Sequence, residues 1–234
     1  MLILNHVSKT YLKSGKKAID DICLTIEDGD IYGFIGPNGA GKSTTIKSIV
    51  GIHSFEGEIK LNGLSLTDDE IAFKKQIAYV PDNPDLYEHL SGIGYIDFVC
   101  SVYGVGAEKN ERIHRYAAMF GIEDKLGDPI KTYSHGMKQK VALIAALCHE
   151  PKLMVLDEPF VGLDPKAAHD LKEVMKSLCA EGKSIFFSSH VLEVVEKLCN
   201  KVAIIKDGKI VASGRTEEIA GDSLEEKFLE LFHE

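Results

Sequence analysis

Residues 36–43 have the sequence Gly36-Pro37-Asn38-Gly39-Ala40-Gly41-Lys42-Ser43. This stretch fits the pattern G-x-x-x-x-G-K-[ST] at every fixed position. A short, mainly apolar run at residues 30–35 precedes it, and a helical pattern begins near Lys42 and ends at Gly51. The predicted order is therefore strand, glycine-rich loop and helix, which is the local structure that this pattern requires.

The loop has the chemistry of a polyphosphate site. Its glycines let backbone N–H groups turn inward around phosphate oxygens, and the start of the helix adds a partial positive charge. We expect Lys42 to contact the β- and γ-phosphates and the Ser43 hydroxyl to ligate Mg²⁺. The residues predicted to bind nucleotide here are Gly36, Pro37, Asn38, Gly39, Ala40, Gly41, Lys42, Ser43 and Thr44. The motif by itself predicts that a nucleoside triphosphate binds and nothing more.

A second motif ends a predicted buried strand. Residues 153–156 are apolar and are followed by two adjacent carboxylates, Asp157 and Glu158. Because consecutive strand residues face opposite sides, one carboxylate can address a metal and the next a reacting water. We predict that Asp157 holds Mg²⁺ and that Glu158 is the catalytic residue that orients or deprotonates the water, a role worth about 10²–10⁴-fold in rate. A solvated turn is the alternative, and the glycine loop upstream favours catalysis.

Strands and helices alternate along most of the chain, which predicts an α/β fold with a mostly parallel sheet. Further buried strands are expected at residues 77–80, 184–187 and 202–205. Asn62-Gly63 and Asp207-Gly208 are typical of hairpin turns, so antiparallel strands are expected beside the parallel ones.

Helical periodicity dominates from Asn83 to Glu150, where Ser134 is placed to cap a helix. We interpret residues 83–150 as a helical subdomain inserted into an α/β core formed by residues 1–82 and 151–234. The apolar side of residues 224–232 predicts a terminal helix that packs on the core, or else makes a dimer or regulatory contact.

Composition narrows the class of protein. The chain has 234 residues, with 27 Lys plus Arg against 36 Asp plus Glu and a net charge of −9, so binding to a nucleic-acid backbone is not expected. The five cysteines are widely spaced and contain no C-x-x-C pair, as in a reducing compartment. No apolar run approaches the roughly 18–20 residues of a membrane span. We therefore expect a cytoplasmic chain without direct membrane insertion.

Further segments resemble one family. Residues 133–139, Tyr-Ser-His-Gly-Met-Lys-Gln, resemble the signature of ATP-binding cassette (ABC) ATPases, whose usual form is Leu-Ser-Gly-Gly-Gln. Residues 161–164 are similar to the D-loop of that family, and His190 is similar to its switch histidine. Tyr11 occupies the place of the aromatic residue that stacks on adenine. The resemblance covers essentially the whole chain and implies a P-loop NTPase core.

The resemblance implies an ATPase that uses ATP and Mg²⁺ and works as a head-to-tail dimer with a second copy or a homologous subunit. Each ATP would then lie between the glycine loop of one subunit and Ser134 and Gly136 of the other. His190 would contact the γ-phosphate and act with Lys42 and Glu158 in catalysis. The implied partner is an integral membrane transporter subunit, which would hold the chain at the inner face of the cell membrane. The form of residues 134–139 is most similar to exporter ATPases, and an importer ATPase or a soluble non-transport cassette is the alternative.

Two positions depart from the pattern of the family. Asp82 stands where the family usually has a glutamine that touches Mg²⁺ or the attacking water. A carboxylate is a harder Mg²⁺ ligand than an amide, but it repels nearby phosphate oxygens, so both a metal role and none stay open. We expect residues 82–87 to form the loop that senses the membrane partner. His135 stands where glycine is usual, as a tolerated variant or a modulator.

Overall fold

The computed structural model of the chain describes residues 1–11 and 15–232. In this part of the chain the strands are β1 (Leu2–Thr10), β2 (Lys17–Ile26), β3 (Ile31–Ile35), β4 (Glu56–Leu61), β5 (Leu64–Ser65), β6 (Ile77–Val80), β7 (Leu153–Asp157), β8 (Ser184–Ser189), β9 (Lys201–Lys206) and β10 (Lys209–Arg215). The α-helices are α1 (Lys42–Ile49), α2 (Glu70–Lys74), α3 (Gly92–Val102), α4 (Lys109–Met119), α5 (His135–Cys148), α6 (Pro165–Ala180), α7 (Leu192–Leu198), α8 (Thr216–Ala220) and α9 (Leu224–Phe232). Short 3-10 helices lie at Glu123–Lys125 and Ile130–Thr132.

A six-stranded sheet with the order β10-β9-β3-β8-β7-β6 forms the centre of the molecule. The strands from β9 to β6 are parallel, and β10 pairs antiparallel with β9. Every residue of β3 and β7 is buried, because both faces of this sheet are covered, and such strands need a nearly continuous apolar sequence. The predicted α/β fold with a mostly parallel sheet is confirmed.

The two faces of this sheet pack against different apolar cores. Along β3, Ile31 and Ile35 belong to one core, and Tyr32 and Phe34 belong to the other, as the alternation of strand side chains requires. The first core includes the apolar sides of α3 to α7. The second includes α1 and a four-stranded antiparallel sheet with the order β2-β1-β4-β5. The predicted antiparallel subdomain is thus present beside the parallel sheet.

The two predicted hairpin turns are present. Asn62 and Gly63 connect β4 to β5 with φ angles of 51° and 82°, and Asp207 and Gly208 connect β9 to β10 with 49° and 82°. Two successive left-handed residues form the turn whose twist matches that of antiparallel strands, and asparagine, aspartate and glycine tolerate this conformation best. The dipeptides therefore determined where these strands reverse.

The helical segment lies between β6 and β7. Residues 83–150, all of which the structure describes, contain α3, α4 and α5 and contribute no strand to either sheet. Their buried side chains, among them Ile96, Phe120 and Ile144, join the same core as Ile31 and Ile35. The segment therefore packs directly on the large sheet. Its assignment as a separate subdomain with these boundaries stays a prediction.

The last described helix, α9, packs against the protein. Leu224 is fully buried, and Phe228 and Phe232 stack with their ring centroids 4.3 Å apart. The ammonium group of Lys206 donates a hydrogen bond to the carbonyl of Leu231 and lies over the Phe232 ring. These contacts agree with the packed-helix interpretation. Among the described residues, no helix combines the length and apolar character that a membrane crossing needs.

Candidate active site

The candidate site lies at the carboxyl ends of the parallel strands. The glycine loop follows β3, and the register of the sheet places Ile35 beside Ser189 of β8 and Asp157 of β7 beside Ser188. Residues that follow neighbouring parallel strands therefore meet at one edge, which is where ligands bind in open α/β sheets. This topology brings together motifs that are far apart in the sequence.

Two glycines of the loop are required by close backbone contacts. A Cβ atom at Gly36 would lie 2.4 Å from the carbonyl oxygen of Ile205, and one at Gly41 would lie 2.8 Å from that of Ala18. Gly41 also has a φ of 115° and directly precedes α1. Any side chain at these positions would push the loop away from β9 and β2, so the loop would lose its shape.

Lys42 lies inside the loop. Lys42 is 8% exposed, and its ammonium group donates hydrogen bonds to the carbonyl oxygens of Gly36, at 2.6 Å, and Pro37, at 3.2 Å. Burial lowers the pKa of Lys42, and the negative charges of Glu158 and Asp157 oppose this effect. The side chain therefore presents a partly desolvated positive charge at the mouth of the loop, where a phosphate interacts with it more strongly than in water.

A cavity of about 410 Å³ opens above the loop, a size within the usual range for ligand sites. The predicted site residues that line it are Tyr11, Asn38, Gly39, Gly41, Lys42, Ser43, Thr44, Asp82, Asp157 and Glu158. Lys16, Lys17, Ala18 and Asp207 also line it and were missed by the sequence reasoning. The adjacent lysines at 16 and 17, a few residues after Tyr11, were the one signal that could have indicated a phosphate-binding wall.

Asp157 is buried and held by a neighbouring strand. Asp157 is 3% exposed, and the hydroxyl of Ser188 donates a hydrogen bond to Asp157 Oδ1. Ser43 faces the same cavity, so a hydroxyl and a carboxylate oxygen are offered together. Hard oxygen ligands of this kind suit Mg²⁺, which usually keeps several waters and binds phosphate oxygens as well. The residues present therefore fit the predicted metal.

Glu158 has an unusual backbone and lies against the imidazole ring of His190. It adopts a left-handed φ of 49°, and its N–H donates to the Ser188 hydroxyl oxygen at 3.1 Å. His190 Nδ1 lies 2.9 Å from Glu158 Oε2, and the N–H of His190 donates to the same oxygen at 3.3 Å. Strained residues of this kind cluster at functional sites. The structure therefore joins Glu158 to His190, and the predicted contact of His190 with phosphate stays a prediction.

Tyr11 lies at the rim of the cavity and is 38% exposed. Its hydroxyl is 3.2 Å from Thr44 Oγ1 and 3.2 Å from His53 Nε2, and the His53 ring meets the Tyr11 ring edge to face. Burial lowers the pKa of His53, with the charges of Lys47 and Lys9 adding to the effect. The ammonium group of Lys9 also lies over the Tyr11 ring, 5.8 Å from its centroid, and the predicted stacking of Tyr11 on adenine stays a prediction. Nothing in the sequence around His53 indicated a role at this site.

Ser134 and Gly136 lie apart from this cavity. Ser134 is exposed and caps α5, its hydroxyl oxygen accepting from the N–H of Met137 at 3.3 Å. A Cβ at Gly136 would lie 2.3 Å from the carbonyl oxygen of Gly162, and the ring of His135 lies against Gly162. Neither Ser134 nor Gly136 lines the cavity. Within one chain the structure does not bring the signature residues to the glycine loop.

Asp82 follows β6 at the same edge of the sheet. It is exposed, lines the cavity and accepts a hydrogen bond from the N–H of Asn83 at 2.9 Å. Four further predicted site residues do not line the cavity: Gly36, Pro37, Ala40 and His190. The carbonyl oxygens of Gly36 and Pro37 nevertheless accept hydrogen bonds from the ammonium group of Lys42. The predicted metal role of Asp82 stays a prediction.

Comparison with known proteins follows this geometry. A family model described as "ABC transporter" matches residues 19–161. The chain is 38% identical over 214 residues to the uncharacterised ABC transporter ATP-binding protein YhcH of Bacillus subtilis (strain 168), covering 90% of this chain and 68% of that protein. It is 34% identical over 222 residues to the linearmycin resistance ATP-binding protein LnrL of the same organism, covering 94% and 70%. Other curated relatives are longer, and the chain spans 60% of one and 63% of another.

Solved structures give the same result. A protein described as the ATP-binding subunit of an ABC transporter superposes with a TM-score of 0.94 and 36% identity, and the match covers 99% of both chains. The dimeric ATP-binding cassette MJ0796, in a post-hydrolysis state bound to ADP and Pi, superposes with a TM-score of 0.85 and 24% identity, over 92% of this chain and 99% of that one. This second protein is similar to the chain in fold.

Proposed function

The chain belongs to the ABC transporter family and is an ATP-binding cassette, an ATPase; from this premise we propose that two copies close head to tail around two ATP molecules and drive export through a separate membrane subunit. A homologous cassette could replace the second copy. In this arrangement the chain lies at the cytoplasmic face of the membrane, held there by its partner. Binding closes the pair, and hydrolysis of the γ-phosphate bond releases it.

The observation that carries the proposal is the separation of two anion sites on one chain. The glycine loop offers Lys42 and backbone N–H groups at the start of α1, while Ser134 lies at the exposed start of α5 outside that cavity. One γ-phosphate can use both sites only if the second comes from another copy. The dimeric state described for the fold neighbour MJ0796 supports this arrangement.

Each residue of the site has a distinct part in hydrolysis. Lys42 neutralises charge that develops on the phosphoryl oxygens. Ser43 and Asp157 would hold Mg²⁺, which when bound would supply further neutralising charge to the phosphates. Glu158 accepts a proton from the attacking water. His190 fixes one oxygen of Glu158 through its ring nitrogen and its backbone N–H, so the other oxygen is free to face the water.

An exposed aromatic cluster supports docking of a membrane partner. Tyr87, at the end of the 82–87 loop, packs edge to face on Tyr95 and Phe98 of α3, with ring centroids 6.1 and 5.6 Å apart. Tyr87 is 58% exposed and Phe98 46%. A short apolar helix from a membrane subunit would cover these rings, and loop 82–87 would transmit its position to Asp82 in the nucleotide cavity.

Export is the direction that we propose. It rests on the signature form at residues 134–139 and on the similarity to a relative named for linearmycin resistance. Removal of a toxic compound from the cell is one way to provide resistance. Import is the alternative that the direction assay below would reveal.

The experiment is capture of the partner from detergent-solubilised membranes of the host. Glu158→Gln protein with ATP and Mg²⁺ serves as bait, and a Glu158→Gln bait that also carries Phe98→Glu serves as the matched control. We expect an integral membrane protein on the first bait and at least tenfold less on the second. Equal capture on both baits would show that the aromatic cluster is not the docking surface, and no membrane protein on either would contradict the transport role.

Direction is then measured in proteoliposomes that contain the captured partner and wild-type cassette. ATP added outside is used only by transporters whose cassettes face outward, and export would move cargo into the lumen. With linearmycin as the first probe, ATP-dependent accumulation inside supports export, whereas ATP-dependent loss of preloaded probe shows import.

A further inference from the structure

A cluster of three potential metal ligands lies on the antiparallel sheet, outside the nucleotide cavity. It consists of His6 on β1 and Asp21 and Cys23 on β2, all exposed, with one ligand atom from each within 4.8 Å of the others. His6 Nδ1 is 2.6 Å from Asp21 Oδ1 and 3.7 Å from Cys23 Sγ. We propose that these three side chains form a binding site for Zn²⁺ that links β1 to β2, with water completing the coordination.

The backbone explains why the three side chains meet. Cys23 and Asp21 lie two residues apart on β2 and therefore share its outer face. The register passes from Leu4↔Leu24 to Val7↔Ile22, so two residues of β1, Asn5 and His6, lie opposite Cys23 alone. This bulge gives His6 a left-handed φ of 53°, and a bulge re-aims the side chain that it carries.

The third strand fixes the bulge. On β4, a Cβ atom at Gly57 would lie 2.3 Å from the carbonyl oxygen of His6, so only glycine at this position allows the bulged backbone to lie so close to β4. The register between β1 and β4 is also shifted between Asn5 and Ser8. On the other side, the N–H of His6 donates to Cys23 Sγ at 3.3 Å, and the N–H of Asp21 donates to Ser8 Oγ at 2.9 Å. The site is thus supported by both neighbouring strands.

The ligand types select the metal. A thiolate, an imidazole and a carboxylate form a mixed soft and hard set that suits Zn²⁺, whereas Mg²⁺ prefers oxygen alone. Tetrahedral zinc with bonds of about 2.0 Å to nitrogen and 2.3 Å to sulfur places those two atoms about 3.5 Å apart, close to the 3.7 Å between His6 Nδ1 and Cys23 Sγ. The His6 Nδ1 and Asp21 Oδ1 atoms are 2.6 Å apart, the distance of a hydrogen bond, so the Asp21 oxygen would move outward to join the same tetrahedron.

The test is titration of the metal-free full chain with Co²⁺, followed by displacement with Zn²⁺. Tetrahedral Co²⁺ has intense visible bands, and a bound thiolate adds a charge-transfer band in the near ultraviolet. Cys23 is the one exposed cysteine among the described residues, so that band reports this site specifically. We expect one Co²⁺ per chain with the thiolate band, displacement by an equivalent of Zn²⁺, and no displacement by millimolar Mg²⁺.

Variants make the assignment specific. Cys23→Ser should abolish the thiolate band, and His6→Ala and Asp21→Asn should each weaken Zn²⁺ binding about tenfold or more. His114→Ala is the matched control, because His114 is an exposed histidine whose Nδ1 lies 3.1 Å from Glu123 Oε1. It should leave binding unchanged. Absence of the band in the wild type, its persistence in Cys23→Ser, or unchanged affinity in His6→Ala would overturn the proposal.

Discussion

The two proposed anion sites of this chain differ in how much of their surroundings the chain itself supplies. Around the glycine loop, Lys42 and Asp157 are buried, and a strand neighbour or backbone carbonyl holds each of them. At the start of α5, Ser134 and His135 are exposed, and Gly136 and the His135 ring both lie against Gly162. The first site is built to hold charge in a single chain. The second is exposed and lies outside the cavity, as expected of a surface that a second molecule covers.

The largest effect is expected when the catalytic base is removed and both proposed anion sites stay intact. Glu158→Gln should lower the ATPase rate by about 10²–10⁴-fold, because the amide cannot accept the proton of the attacking water. ATP should then hold the pair closed, so gel filtration with ATP and Mg²⁺ should show a dimer. Asp207→Asn is the matched control, since Asp207 is another carboxylate that lines the same cavity. A monomer with ATP would contradict the head-to-tail arrangement.

A substitution in the buried site should weaken the binding of ATP itself, the step that precedes hydrolysis. Lys42→Ala removes a charge-assisted interaction with phosphate worth about 1.5–3 kcal/mol, so the Kd for ATP should rise roughly 10- to 150-fold. Equilibrium binding of a fluorescent ATP analogue measures this in the monomer. Lys47→Ala, on the same helix but outside the cavity, provides the comparison. If Lys42→Ala binds ATP as tightly as the wild type, the phosphate role of this side chain is wrong.

The exposed site should behave in the opposite way. Ser134→Ala should leave the Kd of the monomer for ATP unchanged. It should weaken the ATP-bound dimer of the Glu158→Gln protein roughly a hundredfold, because each of its two ATP sites loses one hydrogen bond to a charged group, worth about tenfold. Analytical ultracentrifugation measures the dimer.

A substitution at a second helix cap provides the control for this variant. Ser134→Ala also costs about 0.5–2 kcal/mol of stability, because the hydroxyl caps α5. Ser91→Ala removes a similar cap from α3, where the hydroxyl oxygen accepts from the N–H of Gly94 at 3.1 Å. If Ser91→Ala weakened the dimer equally, the effect of Ser134 would reflect stability alone.

The sequence could predict the features of the site that depend on local patterns, but not those that depend on how distant segments pack. The edge of the parallel sheet was predictable, because strand ends and glycine patterns are local, and parallel pairing then places residues 36–43, Asp157 and His190 at one edge. The Glu158–His190 contact was not, since it depends on the left-handed backbone at Glu158. Lys17 and His53 were missed because they reach the cavity region from the antiparallel sheet and from the segment after α1. Their positions depend on how two sheets pack, which no local pattern encodes.

The smallest expected effect concerns Asp82, an exposed residue of the nucleotide cavity. Asp82 is exposed and lines the cavity, and its described hydrogen bond is with the N–H of Asn83, so it holds no part of the phosphate loop in place. Asp82→Gln should therefore change the Kd for ATP by no more than about twofold, since exposed charges in water interact weakly. If Asp82 senses the partner, stimulation of the ATPase rate by the membrane subunit should change while basal binding does not. Loss of ATP binding in this variant would show that Asp82 belongs to the buried site, and the boundary drawn between the two regions would be wrong.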